Sequence, residues 1–91
     1  MIEKHLIPRQ NPGFMLELFD DEVLLYHQVK TQAVYLNKSA AVIWALCNGE
    51  HSVQDIEDLL REQYPEAADA LPEHIRQSLE QFMDMGALEL K

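Results

Sequence analysis

A chain of 91 residues is enough for one domain and not two, and a domain of this size leaves little interior for a deep enclosed pocket. Its 16 acidic and 7 basic side chains give a net charge of -9, which opposes binding to nucleic acid or anionic membranes and favours a basic or neutral partner. Cys47 is the only cysteine, so no disulfide forms within the chain. Residues 1–13 carry Pro8 and Pro12, end in Gly13, and read as an extended arm leading into a domain over residues 14–91. Phe14 to Phe19 alternates as a strand does, with Phe14, Leu16 and Leu18 on one face and Met15, Glu17 and Phe19 on the other. Asp20-Asp21-Glu22 is a polar break, and Val23 to His27 completes a hairpin. Gln28 to Thr31 is the next turn, and Gln32 to Leu36 is a third strand.

The period then changes to that of helices. Asn37 is an N-cap, and Ala40, Ile43, Trp44 and Cys47 recur at helical spacing until Asn48-Gly49 stops the helix. Ser52 caps a second helix, with Asp55 three residues on and an apolar stripe of Val53, Ile56, Leu59, Leu60 and Tyr64. Pro65 ends it, and residues 66–71 are a loop or single turn. Pro72 opens a third helix whose buried face is Ile75, Leu79, Phe82 and Met83, and Gly86 closes it before a short strand over 87–90. Three strands do not make a stable sheet unaided, so the helices must pack on them. The order predicts an α+β domain of winged-helix type, a three-stranded antiparallel sheet followed by three helices.

Catalytic chemistry is hard to find. His5, His27, His51 and His74 do not pair with one another or with Cys47 at the spacings of structural zinc sites, so no metal is expected. The acidic run at 20–22 suits a hairpin turn better than a carboxylate pair. Cys47 lies on an apolar helix face, where a thiol is inert. Ser39, Ser52 and Ser78 lack the frame of a nucleophile elbow, and three scattered glycines make no phosphate loop. No enzyme activity and no cofactor are expected. What remains is the third strand, Gln32-Ala33-Val34-Tyr35-Leu36, which contains no proline or charge. At a sheet edge it would offer a bare row of backbone groups to another strand. In the centre of a sheet, or covered by the arm or the last strand, it would offer none.

The stretch from Tyr35-Leu36-Asn37 through Asn48-Gly49, followed by Ser52-Val53 and Ile56 and closed by Gly86-Ala87-Leu88, resembles the PqqD family. These are the coenzyme PQQ synthesis protein D-like proteins, also called RiPP recognition elements. Asn48 stands where an aspartate is common, and either residue suits the turn. The resemblance implies a winged-helix-like domain that binds peptide instead of DNA. It implies a chaperone that holds the leader of a ribosomally made precursor peptide and presents it to a modifying enzyme, often of the radical S-adenosylmethionine type, in PQQ or related modified-peptide biosynthesis. The leader would add a strand beside Gln32, Ala33, Val34, Tyr35 and Leu36, in a groove between the third strand and the third helix. At 100° per residue, His74, Ser78, Gln81 and Met85 share one flank of that helix and form the expected other wall.

A winged-helix DNA-binding regulator is the competing reading, and it requires a basic recognition helix. The second helix carries Asp55, Glu57, Asp58 and Glu62 against Arg61, and the third carries Glu73, Glu80 and Asp84 against Arg76. Neither suits phosphates. The start of the chain lacks the build of a signal peptide and no apolar run reaches membrane-spanning length, so the expected location is cytoplasmic. The arm and an open edge also permit strand exchange between two copies, so a homodimer is compatible with the sequence.

Overall fold

The computed structural model describes residues 2–91. Strand β1 (Pro8–Gln10) leads into β2 (Phe14–Phe19), β3 (Glu22–His27) and β4 (Ala33–Leu36). Helices α1 (Lys38–Leu46), α2 (Val53–Gln63) and α3 (Leu71–Asp84) follow, and β5 (Leu88–Leu90) ends the chain. A single 3-10 turn, Pro65–Ala67, joins α2 towards α3.

The antiparallel order β2-β3-β4 leaves β2 and β4 as the two edges of the main sheet. A two-residue loop closes the first hairpin, and Asp20 adopts a positive φ of 51° there, a conformation that a short polar side chain tolerates. Gly13, just before β2, has φ +98° and lies against the His27 ring, so a side chain there would meet both strain and the imidazole.

Residues 8–10 of the arm pair antiparallel with β5 in a separate two-stranded sheet. This adds a second sheet to the three strands and three helices of the sequence reading. The Ile7 amide donates to the Lys91 carbonyl at 2.9 Å, and the Lys91 amide donates back at 3.1 Å. Upstream, the carbonyls of Lys4 and Leu6 accept from the amides of Gln54 and Val53, each at 2.9 Å. Those amides belong to the first turn of α2 and have no partner within the helix, so the arm caps it. Ser52 and Asp55 complete a reciprocal capping box. Lys4 also reaches the Glu57 carboxylate at 2.9 Å, and Arg61 reaches it at 2.6 Å, which explains how Glu57 is tolerated at 3% exposure.

The core lies between the sheet and the helices. Leu25 and Leu36 come from the sheet, Ile43 and Trp44 from α1, Ile56 and Leu60 from α2, and Ile75, Leu79 and Phe82 from α3. The Trp44 and Phe82 rings meet edge to face at 5.1 Å.

Several apolar positions depart from the pattern expected of them. Met83 is 40% exposed because it lies a further 100° round α3 from Phe82, past the buried face; Met85 packs against the core in its place. Tyr64 is 46% exposed, since α2 ends at it before Pro65 and turns its ring outward. Leu16 and Leu18 share the inward face with Phe14, yet Leu18 is 72% exposed, because the hairpin projects beyond the helices that cover Phe14. Leu59 also lies at the rim of its stripe, exposed to solvent.

Candidate peptide-binding edge and groove

The backbone of β4 has a definite polarity. In an antiparallel ladder, residues alternate between pairs that exchange hydrogen bonds and pairs that do not. The His27 amide donates to the Gln32 carbonyl at 3.0 Å, which fixes the phase. With the register Val34 to Leu25 and Leu36 to Val23, Val34 and Leu36 bond inward to β3. Ala33 and Tyr35 therefore direct their N–H and C=O groups to the open edge. The side chains alternate as well. Leu36 is buried and Val34 packs against the core, while Tyr35 is 64% exposed.

Helix α3 faces this edge across a groove with a cavity of about 190 Å³. Leu36 and Ala40 lie at its base, and Tyr35, His74, Ser78 and Gln81 line its sides. Ser78 is buried, and its small side chain leaves the room that a larger residue would fill. His74 is half-buried, and its Nε2 lies 2.7 Å from Ser39 Oγ, linking the start of α3 to the first turn of α1. The Ser39 hydroxyl also lies 3.0 Å from Asn37 Oδ1, which caps α1 by accepting from the Ala40 amide at 2.8 Å.

Beyond His74 and Asn37 the groove opens into a larger cavity of about 610 Å³. Tyr64, Ala67, Ala70 and Leu71 give it an apolar wall. The outward turn of Tyr64 thus has a consequence: its ring borders a cleft instead of the core.

The structure brings Tyr35, Leu36, His74, Ser78 and Gln81 together around the groove. Ala33 and Val34 belong to β4 but not to the cavity lining. Gln32 precedes the strand; its carbonyl serves β3, and its Oε1 is buried without a hydrogen-bond partner among the described residues. Met85 packs towards the core rather than lining the groove. Gln77 lines the groove and was missed by sequence reasoning. Its spacing, three residues after His74 and four before Gln81, was the available signal.

Burial pushes the Cys47 thiol up to about 12, and its Sγ lies 3.1 Å from the Ile43 carbonyl inside the core. That thiol is not a nucleophile at neutral pH. Among the described residues no three His, Cys, Asp or Glu side chains gather as a metal site would require. His27 Nδ1 accepts the amides of Val29 at 3.0 Å and Lys30 at 2.9 Å, so that imidazole holds the β3–β4 turn. On α3, Arg76 is bound by Glu73 and Glu80, and its hydrogen bonds hold the Glu73 carboxyl below its ordinary value. On α2, Arg61 is bound by Glu57 and Asp58. Neither helix offers a free cation to a phosphate backbone.

The family model of coenzyme PQQ synthesis protein D matches residues 22–87, which include β3, β4 and all three helices. The chain belongs to the PqqD family. Among solved structures, it is similar to TbiB1 in complex with the TbiA(beta) leader peptide. That likeness has a TM-score of 0.73 at 21% identity, over 89% of this chain and 94% of the other, and it is a likeness of fold. No curated protein matches the chain. Within this PqqD domain both walls of the groove, β4 and α3, fall inside the matched region. No helix among the described residues is long and apolar enough to cross a membrane.

Proposed function

We propose that this PqqD-family domain binds the leader segment of a ribosomally made precursor peptide as an added strand on β4 and presents it to a separate modifying enzyme. The observation that carries the reading is the open edge of β4, where Ala33 and Tyr35 offer backbone groups beside a groove walled by α3. Strand addition takes its affinity from main-chain hydrogen bonds and its specificity from alternate side chains. Here a peptide side chain that points inward would meet Leu36, Ser78 and His74, and one that points outward would lie beside Tyr35. That the structurally similar TbiB1 is in complex with a leader peptide supports a leader peptide as the ligand.

The domain acts by holding, not by chemistry. Its thiol is buried, and His27 and His74 are engaged in structural hydrogen bonds. The radical S-adenosylmethionine class is the enzyme type that the family resemblance implies, and the charge of -9 suits a partner with basic patches. PQQ synthesis is one pathway of this kind.

The test is a titration of the isotope-labelled chain with a synthetic leader from the precursor-peptide gene nearest its own. Amide shifts should concentrate at residues 33–37 and at His74, Gln77, Ser78 and Gln81. Shifts confined to α1 and α2 would overturn the proposed mode. Mass spectrometry of the peptide incubated with this protein alone should show no change, and any covalent change would overturn the non-catalytic role.

A further inference from the structure

The opposite edge of the main sheet is also bare. Strand β2, Phe14-Met15-Leu16-Glu17-Leu18-Phe19, contains neither proline nor lysine, the usual means of blunting an edge. Met15, Leu16, Leu18 and Phe19 are exposed along it. We infer that β2 is a self-association edge, on which β2 of a second copy pairs antiparallel about a two-fold axis at Leu16.

The backbone fixes that register. The Gln28 amide donates to the Gly13 carbonyl at 2.9 Å, and the hairpin closes Phe19 against Glu22. By the alternation of an antiparallel ladder, Met15, Glu17 and Phe19 then bond to β3. Phe14, Leu16 and Leu18 direct their N–H and C=O groups outward. An axis at Leu16 sets Leu16 against Leu16 and Phe14 against Leu18 in both directions. All three outward residues find an outward partner, which makes about six backbone bonds by the two-bonds-per-pair rule. An axis at Glu17 satisfies Leu16 and Leu18 alone and places two glutamates face to face. An axis between residues is forbidden, because it would pair side chains from opposite faces.

Side chains and charge agree with the Leu16 register. Leu18, the most exposed apolar residue of the strand, would cover Phe14 of the other copy, whose ring packs on Trp44 at 6.5 Å. From residue 10 to residue 29 there are four acidic residues and no Lys or Arg, so two hairpins repel if their tips meet. In this register Asp20 lies level with the other copy's Pro12, eight positions from the other tip. That separates the tips by about 27 Å, well beyond the screening length of about 8 Å at physiological salt. The product is a six-stranded sheet with β4 at both outer ends, so both peptide edges stay free. The contact is small by the standard of stable interfaces, so the association is weak.

Sedimentation velocity of the full chain, from about 10 to 500 μM to cover the weak end of the interface range, tests this. The mass should rise from one chain towards two, and further at high salt, which screens repulsion between two acidic copies. Association with a basic partner would respond to salt in the opposite sense. L16K and L16E should each remain single, because like charges face each other across the axis, and an equimolar mixture should pair again. A single chain at every concentration, or a mixture that stays single while both variants keep the native amide spectrum, would overturn the inference.

Discussion

His74 Nε2 and Ser39 Oγ lie 2.7 Å apart, although 35 residues separate them, and they stand where the groove opens into the larger cavity. The same hydroxyl lies beside Asn37, so one serine ties the entry of α1 to the first turns of α3. Ser39→Ala removes that tie at an exposed site. Stability should fall by about 0.5–1 kcal/mol, the worth of one solvent-accessible hydrogen bond, and urea unfolding reads it. Leader affinity should fall a few-fold, because His74 at this junction is less fixed. Unchanged affinity would show that this end of the groove does not touch the peptide.

Strand addition makes a periodic prediction. Only Ala33 and Tyr35 turn their backbone groups to the edge of β4, so only alternate peptide residues bond to it. A proline at a bonding position should cost about 1 kcal/mol or more. One at the intervening position, whose N–H faces away, should cost much less. Calorimetry across a proline scan should thus give an affinity profile with a period of two. A flat profile would mean that the peptide does not bind as a strand.

Ser78 sets the depth of the groove. It is a buried residue beside the cavity of about 190 Å³, with Leu36 and Ala40 across from it. Ser78→Leu would push an isobutyl group into that space. Peptide affinity should drop at least tenfold, about 1.4 kcal/mol, with a stability change of about 1–3 kcal/mol from overpacking. Ser78→Ala leaves the space open and should bind within about twofold of the parent, a few tenths of a kcal/mol. Equal binding by both variants would place the peptide elsewhere.

The fold was legible where local chemistry and packing agree. Asn37 and Ser52 cap helices and Gly86 ends α3 as their residue types dictate, and the Ile75–Leu79–Phe82 face is buried as its spacing requires. Gly49 does not end α1 as expected: the helix stops at Leu46 with Cys47 as its cap, and the Gly49 amide donates to the Pro8 carbonyl of the arm. The arm was less legible. Its pairing with β5 joins residues some 80 positions apart, and no periodicity in a three-residue strand announces it. Leu18 shows a different limit. Alternation assigns it a face, but whether helices cover that face is a matter of how far the hairpin extends. The groove residues were legible in part for a similar reason. His74, Ser78 and Gln81 follow from helical geometry, whereas the inward turn of Met85 depends on how α3 ends against the core. The polarity of β4, with Ala33 and Tyr35 outward, needs the register and could not be read from residue types.

Cys47 gives a pH dependence with a definite sign. Burial raises its thiol from 9.0 to about 12, since the thiolate would lose its hydration in the core. The folded state therefore holds the proton more tightly than the unfolded chain. The stabilisation is fully present below the ordinary thiol range and is lost as pH rises from about 9 towards 12. Cys47→Ala should lower stability at pH 7 through the loss of a packed side chain, about 1 kcal/mol or more. The gap between parent and variant should narrow above pH 9, and paired urea titrations at pH 7 and pH 10.5 measure it. At pH 8 the native thiol should also resist iodoacetamide, reacting only as fast as the core opens. Rapid labelling of the folded protein, or a gap that does not narrow at high pH, would contradict the buried, protonated thiol.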